Sequence, residues 1–271
     1  MSQTAYIDSI MKHFNLVDAP PLTTLIDPNA LLTKDQSPST PHEFEDMKNV
    51  LYCKAVGSLM YATIGTHPDI MFAVTALSQY LQNPGHPHWE QAKHTICYLK
   101  GTCDWKLTYG STGGVQGFSD MNWGTDVDDH HSICRYVFNL NGGAISWSSK
   151  KQSVVALLST EAEYIAITHA AKEATWVHHL LSELYSPYIL KYPIILYCNN
   201  WSAIELIKNA TFHSRTKHIA IRYHYICEAF NDGIITLAHC STKNMPADMF
   251  TKALVRVKLL KFAKSVGISS T

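Results

Sequence analysis

The sequence lacks an excess of charge of either sign, because 22 Lys and Arg residues balance 22 Asp and Glu residues. Without an overall positive field to attract polyanions, any contact with nucleic acid must come from a local basic patch. The sequence also lacks an apolar run that approaches the roughly 20 residues of a membrane span. Its amino terminus, MSQTAYIDSIMKHF, has no apolar signal core. We therefore expect an intracellular protein, cytoplasmic or nuclear, without a membrane partner.

Motifs for several common chemistries are missing as well. The seven cysteines contain no CxxC pair, and none of the 15 histidines combines with them at a zinc-ligand spacing. Neither a glycine-rich phosphate loop nor a serine-nucleophile motif is present. These absences argue against a zinc centre, a P-loop nucleotide site and serine hydrolase chemistry. We interpret the cysteines as reduced thiols.

What is present is enough apolar sequence for a substantial core. A chain of 271 residues that is 46% hydrophobic suits one large domain or two moderate ones. A short helical pattern, a Pro- and Thr-rich connector and two longer helical patterns, from Asp69 and from His88, predict a small, mainly helical module over residues 1–110. The Ser/Thr/Gly break from Gly110 to Gly114 is the expected domain boundary.

Residues 115–262 show the pattern of an α/β domain. Three β-rich runs come first, and a turn signal at Asn141 separates the second from the third. A long helix follows from Glu161 to about Leu184, and its apolar face includes that leucine. A strand PIILYCNN, two helices, a strand IITLAHCS and a final helix with Pro246 in its first turn complete the order βββαβααβα. This order predicts a mixed five-stranded sheet flanked by helices.

Four polar positions fall at the ends of these predicted elements. Asp120 closes the first strand, and Glu163 opens the long helix. Asn199 ends the fourth strand, and Asp248 opens the last helix. If the third position were an aspartate, four carboxylates would gather, and they could stay ionised together only with bound cations. Two Mg²⁺ ions roughly 4 Å apart would make such a cluster a phosphodiester-cleaving site.

Each acid also has a simpler structural explanation. Glu163 stands three residues after Thr160, which is the spacing of a capping box, so its carboxylate could satisfy the helix's own amide. Asp248 would lie in the first turn of a helix, where the macrodipole favours a negative charge. Asp120 could cap a turn beside Asn122. Spacing alone therefore leaves open whether these acids share a metal site.

Several longer motifs resemble one family, in order along nearly the whole chain. The downstream motifs are FSDMNWGTD, GAISWSSKKQSVVALLSTEAEYIAI, LYCNNWSAI, FHSRTKHIAIRYHYI and PADMFTKAL. They resemble the ribonuclease H domain of copia-type retrotransposon polyproteins. Upstream, YCKAVGSLMYATIGTHPDIMFAVTALSQYL and HWEQAKHTICYLKGT resemble the segment that links the reverse transcriptase to that nuclease.

The resemblance implies a ribonuclease H-like fold and a metal-dependent activity. The family degrades the RNA strand of an RNA–DNA hybrid with Mg²⁺ or Mn²⁺ as cofactor. The implied partners are therefore an RNA–DNA hybrid and, in an intact element, the remainder of a reverse transcriptase.

Matched residue by residue, the family's catalytic, metal-binding carboxylates fall on Asp120, Glu163 and Asp248. We choose Glu163 over Glu161 because AEYIAI has the motif's acid followed by a hydrophobic run. The remaining carboxylate, the aspartate of a Cys-Asp-Asn triplet in the family, falls on Asn199. An amide offers a metal one neutral oxygen and no charge. This departure predicts weakened metal binding and a nuclease that is weak or inactive.

Smaller departures lie nearby. The family's SDADW reads SDMNW, and its Arg-Lys-Ser-Thr-Ser-Gly-Tyr run reads HHSICRY, which places Arg135 where the family has a glycine. We also expect no polymerase active site, because the chain starts too late to include the strand and turn that carry its aspartates. The acidic run DVDDH, from Asp126 to His130, has no flanking apolar strands and is interpreted as a solvated turn.

Two local groups of basic side chains could hold a sugar-phosphate backbone. Lys150 and Lys151 follow the third strand, and Arg215, Lys217 and His218 lie within HSRTKH. The alternative interpretation is that these short clusters are simply solvated faces.

Three functions stay open at this point. The leading hypothesis is a ribonuclease H-like domain impaired by Asn199, and the first alternative is a catalytically inactive nucleic-acid-binding or structural remnant of such a polyprotein. A weaker alternative is an integrase-like transferase, but an integrase core would be expected to keep its glutamate on a late helix. A shared site requires four positions to converge at the sheet edge: Asp120, Glu163, Asn199 and Asp248.

Overall fold

The computed structural model describes residues 1–27, 29–110, 113–122, 128–129, 131–152, 156, 159–184, 193–208, 220–250 and 254–270, with the backbone alone for 220–224. In these residues the helices are α1 (Thr4–His13), α2 (Pro41–Met47), α3 (Tyr52–Gly65), α4 (Met71–Ser78), α5 (His86–Gly101), α6 (Ser159–Leu184), α7 (Trp201–Lys208), α8 (Ala220–Asn231) and α9 (Arg256–Ser265). The strands are β1 (Lys106–Leu107), β2 (Gln116–Asn122), β3 (Ile133–Leu140), β4 (Gly143–Lys151), β5 (Ile194–Cys198), β6 (Ile235–His239) and β7 (Ile268–Ser269). None of the described helices has the length and apolar character needed to cross a bilayer.

The chain divides into two compact units. Unit 1 comprises Met1–Thr108 together with Lys252–Thr271, and unit 2 comprises Tyr109–Thr251. The sequence predicts a second domain that extends to residue 262, whereas the structure groups Lys252–Thr271 with unit 1. The physical reason is a strand pairing, because β7 near the carboxy terminus pairs antiparallel with β1.

Unit 1 is mainly helical, as the sequence predicts. Helix α3 packs against α4 and α5, and it buries Tyr52, Val56 and Leu59. The sequence pattern does not predict this helix, which contains Gly57 and ends at Gly65, because glycine is the weakest helix former after proline. Burial of each large apolar side chain contributes about 1.5–3 kcal/mol, and this outweighs the poor local propensity.

Unit 2 is built on a five-stranded mixed sheet with the strand order β4-β3-β2-β5-β6. Strands β2, β3 and β4 pair antiparallel, whereas β5 pairs parallel with β2 and β6 pairs parallel with β5. The hairpin between β3 and β4 turns at Asn141 (φ 51°) and Gly142 (φ 80°). Asn and Gly tolerate such left-handed conformations, so the predicted turn and the predicted mixed sheet are both confirmed.

Helix α6 covers one face of this sheet and packs against β2, β3 and β5. The side chains on the inner face of α6 are buried in the main core of unit 2. They are Tyr164, Ile167, Ala171, Ala174 and Leu181. Leu184, which was predicted on the same face, is the last residue of the helix and is 65% exposed. The buried face therefore ends at Leu181 rather than at Leu184.

The predicted final helix is confirmed only in its later part, α9, and its predicted start at Pro246 is wrong. Pro246–Phe250 forms a short 3-10 helix instead. Every residue of the 3-10 helix is buried, so this segment lacks the one-sided apolar face of a surface helix. Asp248 N–H donates to the Met245 carbonyl oxygen three residues back, at 3.1 Å. Asp248 therefore does not open an α-helix.

Gly117 gives a test of how tightly the sheet and its core are packed. It lies in β2, and a Cβ at this position would overlap the ring of Phe138 and lie 2.9 Å from Leu196 Cδ1. Both neighbours are fully buried, so they have little room to move. We expect Gly117→Ala to lower the free energy of unfolding by about 1–3 kcal/mol, the cost of overpacking a core, measured by urea denaturation.

The matched control is Gly114→Ala in the same unit. Gly114 is exposed, and an added Cβ would have nothing within 4 Å. Equal free energies of unfolding for Gly117→Ala and Gly114→Ala would contradict the close packing of β2.

Candidate active site

Asp120 and Asn199 meet where two parallel strands end. Asp120 lies near the end of β2, and Asn199 directly follows Cys198, the last residue of β5. Because the ends of neighbouring parallel strands lie at the same edge of a sheet, their side chains come together. Asn199 Nδ2 donates a hydrogen bond to Asp120 Oδ1 at 2.8 Å, and Asn199 Oδ1 is buried without a hydrogen bond from any described residue. The amide is thus a neutral donor where an aspartate would add a second negative charge.

Glu163 lies beside this pair, on α6. It is 5% exposed, and burial together with the negative charge of Asp120 raises the pKa of its carboxyl to about 9. Its Oε2 atom accepts no hydrogen bond from the described residues. Burial, followed by the charge of Glu163, also raises the pKa of the Cys198 thiol. Glu163 therefore lies near the ends of both β2 and β5, and it is protonated at neutral pH.

The capping-box explanation of Glu163 is wrong. Helix α6 begins at Ser159, so Thr160 is already inside the first turn and cannot be the residue before the helix. Glu163 follows one turn later, where the backbone amides bond within the helix and need no side-chain acceptor. Its burial beside Asp120 has to be explained by the site rather than by the helix end.

A cation that the sequence analysis did not place in the site lies among these acids. Arg135 in β3 is the direct strand partner of Asp120 in β2, and it is 1% exposed. The 3-10 helix that carries Asp248 packs against both strands, and Asp248 is 2% exposed. Burial lowers the pKa of Arg135 to about 9, while the charges of Asp120 and Asp248 act in the opposite direction. The guanidinium is therefore charged at neutral pH and interacts with both carboxylates.

The sequence contained only a weak signal for this arrangement. It showed Arg135 as a departure from the family's glycine, inside the apolar run ICRYVF. Its pairing with Asp120 could not be predicted from the sequence, because β2 ends at Asn122 and β3 begins only at Ile133, so no two-residue hairpin turn fixes the register.

Asp120 lies beside Asn199 and Glu163, and Asp248 shares the charge of Arg135 with Asp120, but the chemistry of these groups does not match a pair of divalent ions. We call Asp120, Glu163 and Asp248 the carboxylate cluster. Glu163 is neutral, Asn199 is an amide, and Arg135 adds a positive charge. In the part of the chain that the structure describes, no group of three or more His, Cys, Asp or Glu side chains is arranged to hold a metal ion. Since Mg²⁺ is held by carboxylate and other oxygen ligands, the residues as arranged do not fit two Mg²⁺ ions.

Only two of the candidate nucleic-acid contacts, Lys150 and Lys151, lie among the described residues. Lys150 is exposed at the end of β4, whereas Lys151 Nζ lies 2.6 Å from Asp129 Oδ2. Asp129 belongs to the acidic run DVDDH and lies in a turn. The other predicted contacts lie outside the described residues: Arg215, Lys217 and His218.

Three antiparallel strands, a long helix and two parallel strands, with acidic positions around the end of the central strand, define a ribonuclease H-like domain. The chain is 41% identical over 271 residues to the retrovirus-related Pol polyprotein from transposon TNT 1-94 of Nicotiana tabacum, covering 100% of this chain and 20% of that protein. It is 37% identical over 270 residues to the corresponding polyprotein from transposon RE2 of Arabidopsis thaliana, covering 99% and 18%. The chain belongs to the copia-type retrotransposon Pol polyproteins, and it spans about a fifth of the length of these relatives.

Among solved structures, the chain is similar to LC11-RNase H1, described in complex with an RNA/DNA hybrid. The match covers 50% of this chain and 92% of that chain, with 12% identity and a TM-score of 0.37. No protein-family model matches the chain. The fold class therefore rests on the strand order and on the sequence relatives.

The raised pKa of Glu163 predicts a specific dependence of stability on pH. The carboxyl ionises near its usual 4.5 in the unfolded chain and near 9 in the folded chain. Between these values the folded state holds one proton more, so stability falls as pH rises, by up to about 1.4 kcal/mol per pH unit. Glutamine cannot ionise, so Glu163→Gln should lose less stability across this window, measured by urea unfolding in metal-free buffer.

The matched control for this experiment is Glu183→Gln, which removes an exposed carboxyl from the other end of α6. It should lose stability with pH as the unmodified chain does. Identical slopes for Glu163→Gln and the unmodified chain would show that Glu163 is not a buried, protonated acid.

Proposed function

We propose that this chain is the part of a retrotransposon Pol polyprotein in which a segment from the reverse transcriptase region, residues 1–110, precedes a ribonuclease H-like domain, residues 115–262. The reaction is hydrolysis of the RNA strand of RNA–DNA hybrids with Mg²⁺ or Mn²⁺, and it is strongly impaired. The hydrogen bond from Asn199 to Asp120 is the observation that carries this proposal. The partners are an RNA–DNA hybrid and, in an intact element, the rest of the reverse transcriptase.

Asn199 supports an impaired reaction for two reasons. Its amide brings no negative charge to help hold a divalent cation against the cation's hydration shell. Its Nδ2 atom also donates to Asp120 Oδ1, so one oxygen of the neighbouring carboxylate is already engaged. A single substitution thus removes one charged ligand and occupies part of another.

The remaining ligands in this proposal are the carboxylate cluster. Ligands must be deprotonated before they bind a metal ion, and Glu163 has a pKa raised to about 9. Binding of Mg²⁺ or Mn²⁺ therefore has to displace a proton from a buried acid at neutral pH. This requirement weakens the affinity further and adds to the expected impairment of the reaction.

A second candidate function is a catalytically inactive domain that binds nucleic acid. The observation that favours it is the buried positive charge of Arg135, which interacts with Asp120 and Asp248 and balances them within the protein. A domain of this kind would keep its fold and its exposed basic groups without using a metal.

The first experiment restores the missing carboxylate. Asn199→Asp should cleave a labelled RNA–DNA hybrid faster than the unmodified chain in Mg²⁺ and in Mn²⁺, because it returns a charged ligand to the end of β5. We expect an increase of at least about tenfold, the low end of what a disturbed metal shell costs. The measurement is the initial rate on the full chain at equal protein concentration.

Asn200→Asp is the matched control, because it adds the same charge one residue away. Asn200 Oδ1 accepts a hydrogen bond from Ala203 N–H at 3.0 Å and so caps α7, a role that aspartate also fills. Its cleavage rate should equal that of the unmodified chain. If the unmodified chain cuts as fast as Asn199→Asp, the claim that Asn199 impairs the site is wrong.

The second experiment concerns binding rather than cleavage. Lys150→Ala should weaken binding of RNA–DNA hybrids of any sequence and reduce the slope of log affinity against log salt by about 1, because a phosphate contact is lost. Lys151→Ala should cost less affinity, because Lys151 is already paired with Asp129. Fluorescence anisotropy over a salt series measures both, and an equal or larger loss for Lys151→Ala would contradict this ranking.

A further inference from the structure

Arg135 is the largest fully buried side chain in the described part of the protein. It belongs to β3 at the position paired directly with Asp120, and side chains at paired positions of antiparallel strands lie on the same face of the sheet. The 3-10 helix that carries Asp248 packs against β2 and β3. The guanidinium and two acids are thus brought together by three different elements.

The energetics of burial explain why these groups stay together. A buried charge is costly unless it is paired, and removal of one partner leaves the other uncompensated. Arg135 interacts electrostatically with both Asp120 and Asp248, so the positive group and the negative groups stabilise one another. A buried guanidinium that interacts electrostatically with two carboxylates supplies positive charge that a bound divalent cation would otherwise supply.

We propose that Arg135 is a built-in cation of the carboxylate cluster, which neutralises Asp120 and Asp248 and so weakens the binding of divalent metal ions to them. It is a second barrier to metal binding, in addition to Asn199. Arginine is covalently held and cannot leave the site as a hydrated ion can, so a metal ion has to bind against its charge. The inference rests on the proposed function only in that both concern the same acids.

The inference makes a direct statement about the unmodified chain. A ligand that binds the folded state raises the melting temperature with its concentration. The unmodified full chain should show the same melting temperature in millimolar Mg²⁺ or Mn²⁺ as in EDTA with sodium chloride at matched ionic strength. A rise with either metal would overturn the proposal, and this measurement requires no substitution.

Two variants then separate the charge of Arg135 from its volume. In the Asn199→Asp background, Arg135→Met removes the charge and keeps an unbranched chain that fills irregular space. Arg135→Lys in the same background keeps the charge and is the matched control. The Arg135→Met variant should bind Mn²⁺ at least about tenfold more tightly than the Arg135→Lys variant, measured by the electron paramagnetic resonance signal of free Mn²⁺. Equal affinities would overturn the proposal.

A double-mutant cycle tests the pairing without any metal. Arg135→Met alone should lower the melting temperature, because Asp120 and Asp248 lose their counter-charge. Adding Asp120→Asn should recover part of that loss, so the double variant should fall less than the sum of the two single variants. Additive losses would contradict the role of Arg135 as the counterion of Asp120.

The failures of the two proposals can be told apart. If Asn199→Asp increases cleavage while the Met and Lys variants bind Mn²⁺ equally, the proposed function stands and the role of Arg135 is wrong. If the Met variant binds Mn²⁺ more tightly but cleaves no hybrid, the role of Arg135 stands and the proposed nuclease activity is wrong.

Discussion

Buried carboxylates cannot remain ionised beside one another without positive charge, and unit 2 meets this constraint in three ways at one edge of its sheet. Asp120 and Asp248 interact with the guanidinium of Arg135. Glu163 holds its proton instead, because burial and Asp120 raise its pKa to about 9. Asn199 replaces a charge with an amide that donates to Asp120. The cluster therefore balances its charges with the protein's own groups.

The strand order makes this balance possible. β2 is the central strand, with antiparallel β3 on one side and parallel β5 on the other. β3 supplies Arg135, the end of β5 is followed by Asn199, and α6 supplies Glu163 from the covering layer. All of them reach Asp120 because it lies near the end of β2. The ribonuclease H-like fold thus holds the positions of the site, whereas individual side chains decide its chemistry.

Persistence of a fold does not require persistence of its reaction. The backbone pairing of β2, β3 and β5 depends on main-chain hydrogen bonds and on the core beneath α6. Neither of these requires a charged side chain at position 199. A substitution at the end of β5 can therefore change metal affinity while it leaves the sheet intact. The same reasoning explains why sequence relatives and strand order identify the domain, although its carboxylate cluster does not fit two Mg²⁺ ions.

Elements with a strong local pattern could be predicted from the sequence. The hairpin at Asn141 and the long helix α6 have turn chemistry or periodicity that a short window contains. Helix α3 and the segment around Asp248 could not be predicted. The glycines of α3 lower its local helix propensity, and tertiary packing stabilises the helix. Every residue of the segment Pro246–Phe250 is buried, so its sequence has no alternation of apolar and polar residues that would indicate the type of helix.

The sequence by itself determined the family and the α/β class and predicted four positions for the site, because motifs and local periodicity are properties of neighbouring residues. Only the tertiary structure decided what those positions can do. The pairing of Arg135 with Asp120 depends on the register between two strands that no tight turn connects. The proton on Glu163 depends on burial and on a charge from another element. Both are consequences of contacts between distant parts of the chain, and a linear pattern does not contain them.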